Sequence, residues 1–143
     1  MLYLAYGSNL NLEQMVARCP TAKIAGAATL EDYRLLFRGG RSNAVATVEP
    51  QEGDSVPVLL WEITLADEAA LDRYEGWPYL YRKEILTVLL NGKPTGAMVY
   101  IMNEGRPLGK PSCYYYNIIL QGYRSAGFDV EILRKATASS TEI

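Results

Sequence analysis

The sequence predicts an α+β domain, mainly β, with three helices. Three observations carry this. Short apolar or alternating runs recur at residues 2–6, 24–37, 44–48, 56–63 and 85–101, punctuated by Gly, Pro and Asn. Three segments, near 11–19, 64–76 and 112–127, carry helix-cap residues and helical spacing. No repeat, linker or low-complexity block divides the 143 residues, so one domain is expected over 1–136, followed by a polar, frayed tail over 137–143.

Each element has a local reason. Leu2 to Tyr6 reads as a buried strand that meets a turn at Gly7-Ser8-Asn9. Asn11 is an N-cap candidate and Gln14 its capping-box partner; Leu12, Met15 and Val16 form an apolar face, and Pro20 stops the helix. Ile24 to Leu30, then Tyr33 to Phe37, read as strands running to a turn at Gly39-Gly40. Ala44 to Val48 is a short strand ended by Pro50, residues 51–54 are a polar loop, and Val56 to Ile63 is the next strand. Thr64 caps a second helix with Asp67 three residues on; Leu65, Ala69 and Leu71 to Tyr74 supply its packing face. Gly76 and Pro78 end it. Ile85 to Leu90 and Thr95 to Ile101 flank Asn91-Gly92, a type I′ hairpin signal. Residues 103–111 form a loop. Ser112 caps the third helix, with Tyr115, Ile118, Ile119 and Tyr123 as its stripe and Gly127 at its end.

Composition narrows the chemistry. There is no histidine, which excludes a Ser-His-Asp triad, a Cys-His pair and any histidine metal site. Proton transfer must then fall to a carboxylate, Lys, Tyr, Cys or the backbone. The formal charge of -2 argues against nucleic acid as a partner. Cys19 and Cys113 are isolated, which suits reduced thiols in the cytoplasm. No run is long enough to span a membrane, and the N-terminal residues do not read as a signal peptide.

Three features are candidate sites. Tyr6-Gly7-Ser8-Asn9-Leu10 places a glycine turn between a strand and a helix, where consecutive N–H groups can hold an anion or oxyanion; Gly7 permits close approach or a positive φ. An ordinary β-to-α turn is the plainer reading. Glu75 falls in the last turn of the second helix, where the helix dipole disfavours a negative charge and favours the protonated carboxyl. Tyr74 and Trp77 supply desolvation in the same sense, and a solvated helix-end glutamate is the plainer alternative. Finally, 11 Tyr against 2 Phe suggests hydroxyls around a polar cavity or an interface, a homodimer included.

These motifs, together with Leu71-Asp72-Arg73-Tyr74-Glu75-Gly76, Tyr81 and Pro111-Ser112-x-x-Tyr115, resemble the γ-glutamylcyclotransferase family, notably its small bacterial AIG2-like members. The resemblance spans roughly residues 2–127. It implies a compact mixed β-barrel flanked by about three helices. It also implies an enzyme that cyclises a γ-glutamyl amide to 5-oxoproline and releases an amine or amino acid. By the same resemblance Glu75 is the general acid/base, and Tyr6, Gly7, Ser8, Asn9, Leu10, Tyr81 and Tyr115 bind the substrate. No metal or organic cofactor is called for. A non-catalytic small-ligand binder on the same barrel is the alternative. Glu75 speaks against it, since a binder of an anionic glutamyl group gains nothing from a nearby carboxylate.

Overall fold

The computed structural model describes residues 1–141. Five strands form one sheet in the order β2-β3-β1-β5-β4. They are β1 (Leu2–Ala5), β2 (Lys23–Arg38), β3 (Val45–Glu62), β4 (Tyr81–Leu90) and β5 (Lys93–Met102). Helices α1 (Leu12–Arg18), α2 (Leu65–Glu75), α3 (Cys113–Ala126) and α4 (Val130–Thr141) flank it, and a 3₁₀ turn at Ser8–Leu10 follows β1. β1 lies at the centre, antiparallel to β3 and parallel to β5. The edge strands approach each other without sharing a ladder: a Cβ on Gly26 of β2 would lie 2.8 Å from Leu90 of β4. The sheet is therefore barrel-like but open. Leu4, Val56, Val58, Leu60 and Val99 are fully buried within it.

The local signals describe most element ends. Asn11 accepts from the Gln14 N–H, Thr64 and Asp67 form a full capping box, and Ser112 accepts from the Tyr115 N–H. Gly76 and Gly127 adopt left-handed φ values of 66° and 74° at the ends of α2 and α3. Asn91 and Gly92 both have positive φ in the β4–β5 hairpin.

Five expectations are corrected. Residues 51–54 are not a loop, and Pro50 does not end the strand before them. β3 runs through Pro50 and pairs with β2 on both sides of a bulge between Glu31 and Tyr33, where Asp32 takes a φ of 61° and its carboxylate accepts the Gly53 N–H. Residues 137–141, expected to fray, complete a fourth helix. Ser140 Oγ accepts the Phe37 N–H at 2.8 Å, so α4 is tied to the edge strand β2 and covers it; residues 142–143 of the expected tail lie outside the described residues. On α1 only Met15 is buried, while Leu12 and Val16 are 41% and 60% exposed. On α2 the core contact is Leu71, with Leu65 and Ala69 exposed. These short helices bury few residues against the sheet, and their flanking apolar positions stay at the rim. The Gln14 side chain does not close the capping box; it accepts from Arg18.

Candidate active site

The site forms where β1 ends, α2 ends and α3 begins. β1 carries Tyr3 and leads through Tyr6 to Gly7. The 3₁₀ turn then directs the Leu10 and Asn11 N–H groups back to the Gly7 and Ser8 carbonyls. The Ser8 and Asn9 N–H groups, at the start of the turn, have no backbone partner among the described residues. Gly7 allows a close approach here rather than a left-handed φ, its own φ being -126°. A Cβ there would lie 3.3 Å from Ala46 Cβ and 3.7 Å from the Tyr115 hydroxyl.

The turn is fixed from behind. Leu10 is fully buried against α3, where Gly122 lets the helix approach: a Cβ on Gly122 would lie 2.7 Å from the Leu10 carbonyl carbon. Asn11 Nδ2 donates to Ile118 O and Gln121 Oε1, both at 3.0 Å. Leu10 therefore anchors the turn in the core and is absent from the cavity wall, unlike the other residues of its motif.

That cavity is lined by Tyr3, Tyr6, Gly7, Ser8, Asn9, Ala46, Glu75, Tyr81, Tyr100 and Tyr115. Its free space is about 20 Å³, enough for a water molecule, so a substrate must displace side chains at the rim. Tyr74 is the exposed one there, at 43%; its hydroxyl lies 3.0 Å from Ser8 Oγ.

The tyrosine hydroxyls divide by what they donate to. Tyr6 donates to Tyr100 O at 2.6 Å, Tyr81 to Ala46 O at 2.5 Å, and Tyr100 to Asp72 Oδ1 at 2.6 Å. These three protons are spent on the scaffold. Tyr115 instead accepts from the Ala46 N–H at 3.1 Å, and Tyr3 accepts from Asn9 Nδ2 at 3.0 Å. Their own hydroxyl protons remain available to a ligand. Burial raises the pKa of Tyr3, Tyr6, Tyr81, Tyr100 and Tyr115, so all five stay protonated donors. Ala46 is held on both sides because its N–H and C=O face the cavity; opposite Phe37 of β2 it makes no use of them in the ladder.

Glu75 is the carboxylate of this ring. Burial pushes its pKa up to about 7, and the Arg18 guanidinium opposes the rise. The helix-end position pointed in that direction, but removal from water is the larger cause. Near neutrality Glu75 therefore exists in both protonation states, the condition for taking and returning a proton. A larger cleft of about 670 Å³ involves Arg38, Glu49, Arg82 and Glu84. Its carboxylates at Glu49 and Glu84 are paired with Arg38 and Arg82. The residues that line this cleft are separate from those around Glu75.

Tyr3, Ala46, Tyr100 and Arg18 carry no sequence signal of a site. Tyr3 alternates with Leu4 on a strand, and Tyr100 sits mid-strand with no turn beside it. Only their convergence in space marks them. Among the described residues no group of three or more His, Cys, Asp or Glu is placed to hold a metal, and no helix is long and apolar enough to cross a membrane.

Comparison with known proteins gives a consistent result. The family described as γ-glutamyl cyclotransferase, AIG2-like, matches residues 3–117. The human protein named γ-glutamylcyclotransferase is 30% identical over 149 aligned residues, covering 96% of this chain and 77% of its own. The mouse protein of that name is 32% identical with the same coverage. A solved structure titled γ-glutamyl cyclotransferase superposes with a TM-score of 0.82 at 30% identity, covering 96% of this chain and 86% of its own. YkqA of Bacillus subtilis, at 18% identity and a TM-score of 0.81 over 100% of this chain and 55% of its own, shares the fold.

Proposed function

The chain belongs to the γ-glutamyl cyclotransferase, AIG2-like family, and we propose that the cavity around Glu75 is where it converts a γ-glutamyl amide to 5-oxoproline and a free amine. The observation that carries this reading is a single carboxyl, with a pKa raised to about 7, in a ring of hydroxyls and turn N–H groups.

The substrate supplies its own nucleophile. Its α-amine attacks the γ-carbonyl carbon, a C–N bond closes the five-membered ring, and the bond to the departing nitrogen breaks. Two protons leave the α-ammonium group and both end on the released amine. Glu75 carries them one at a time, as base and then as acid. No serine or cysteine nucleophile is needed, which fits a chain without histidine. The oxyanion on the γ-carbonyl oxygen is met by donors of the Gly7–Asn9 turn; one such donor can contribute about 3 kcal/mol. The free hydroxyl protons of Tyr3 and Tyr115 serve the polar groups of the glutamyl portion. Tyr6 and Tyr81 shape the wall by fixing Tyr100 and Ala46. Much of the remaining acceleration comes from holding the glutamyl chain folded back on itself.

The same proposal places the protein in the cytoplasm, where its free thiols at Cys19 and Cys113 stay reduced. It carries the expected homodimer as well, for which exposed Trp77, Tyr79 and Tyr114 offer aromatic surface. The test is release of 5-oxoproline from γ-glutamyl amino acids and γ-glutamyl amines by wild type and Glu75→Gln. Turnover that disappears in the variant supports the reading. Binding of 5-oxoproline with no turnover of any γ-glutamyl amide would replace it with a binding module.

A further inference from the structure

Arg18 ends α1, outside every motif that marks the site, and it touches two elements that build the site. Its Nη1 donates to Asn9 Oδ1 at 2.6 Å, and its Nη2 donates to Gln14 Oε1 at 2.7 Å. Its guanidinium carbon lies 3.5 Å from the centroid of the Tyr74 ring. Asn9 passes the contact on to the Tyr3 hydroxyl, and Tyr74 passes it on to Ser8 Oγ. One side chain thus links the oxyanion turn to the residue that precedes Glu75.

We propose that Arg18 is a positioning residue of this reaction, clamping the Ser8–Leu10 turn to the C-terminal end of α2 and bringing a positive charge to the helix end that carries Glu75. The inference rests on the acid/base reading of Glu75. Its physical logic is a balance. Burial favours the neutral carboxyl, and a carboxyl that never ionises cannot act as a base. A nearby cation restores access to the carboxylate.

The other groups around Glu75 do not supply that charge. Tyr3 of β1, Tyr6 beyond it, Tyr81 of β4, Tyr100 of β5, Tyr115 of α3 and Tyr74 of α2 itself present hydroxyls. Lys83 of β4 is engaged by Glu68 and Asp72 of α2, at 2.8 Å each, and Asp72 in turn accepts from Tyr100. Among the described residues, Arg18 is the cation whose charge acts on Glu75. Arginine suits the place better than lysine. A planar guanidinium stacks on Tyr74 and directs separate N–H groups to Asn9 and Gln14, which a single ammonium cannot do.

The test separates this role from simple structural support. The carboxyl carbon of Glu75 is titrated by ¹³C NMR, without substrate, in wild type, Arg18→Gln and Arg18→Lys, with Glu75→Gln assigning the resonance. The wild-type midpoint should lie near 7. Arg18→Gln should raise it by about one pH unit, and Arg18→Lys should keep it close to wild type. In turnover, Arg18→Gln should lower kcat/KM at least about tenfold, with the acidic limb of the pH profile following the raised midpoint. Arg18→Lys should restore the limb but not the full rate, because the clamp is lost. An unchanged Glu75 midpoint in Arg18→Gln overturns the proposal, whatever happens to its melting temperature. A wild type that turns over no γ-glutamyl amide would instead defeat the functional reading. The titration, made without substrate, distinguishes the two failures.

Discussion

Replacing Glu75 by glutamine should stabilise the protein at alkaline pH while abolishing its chemistry. The folded state raises the midpoint of this carboxyl from 4.5 to about 7 by burying it. Between those values the folded protein holds a proton that the unfolded chain has released. Wild-type stability therefore falls as pH rises through the window from 4.5 to 7, and is unaffected by this group below it. The full cost above pH 7 is about 3 kcal/mol, somewhat less because Glu75 is only partly shielded from solvent. Glutamine has the same shape and no charge, so it escapes the cost. For a chain of this size 3 kcal/mol corresponds to about 10 °C in Tm. The assay is thermal or urea unfolding of both proteins from pH 4 to pH 8. The two curves should coincide near pH 4 and separate progressively to pH 8, with the variant the more stable. Parallel curves across the range, or a variant less stable at pH 8, would show that Glu75 is ionised without penalty and would remove the basis for its acid/base role.

Two further variants probe the scaffold. Tyr115→Phe removes the acceptor of the Ala46 N–H and one of the two free hydroxyl protons in the cavity. Urea unfolding should show a loss of about 1–3 kcal/mol, accompanied by a raised KM for the glutamyl substrate. Gly122→Ala places a methyl group 2.7 Å from Leu10 backbone. Although alanine favours helix by about 1 kcal/mol over glycine, overpacking should cost about 1–3 kcal/mol and loosen the turn that Leu10 anchors. A Gly122→Ala protein as stable as wild type would contradict the close approach of α3.

What the sequence reveals of this molecule divides by range. Caps and turns act within four residues, so Asn11, Thr64 with Asp67, Gly76, Asn91-Gly92, Ser112 and Gly127 are legible in the chain itself. The site motifs around Gly7 and Glu75 are legible for the same reason, each being a short segment at an element end. The β2–β3 ribbon is not, because Pro50 and Gly53 look like breakers until their partner strand is known. A bulge at Asp32 accommodates them. α4 is hidden because it buries a small residue and a serine, Ala136 and Ser140, beside Leu133. Its anchor, the Phe37 N–H, lies 103 residues away. Tyr3, Ala46, Tyr100 and Arg18 share this difficulty. Their roles arise from β1, β3, β5 and α1 meeting around Glu75, and no spacing within one segment encodes that meeting.

The central claim is that Glu75 carries the protons of an intramolecular γ-glutamyl transfer. The most direct measurement is 5-oxoproline formation from a panel of γ-glutamyl amino acids and amines, followed across a pH range of about 5–9 for wild type and Glu75→Gln. The account predicts release from at least one member, governed by a group with a pKa near 7, and loss of nearly all turnover in a variant that still folds and binds 5-oxoproline. Wild-type turnover retained by Glu75→Gln would contradict it.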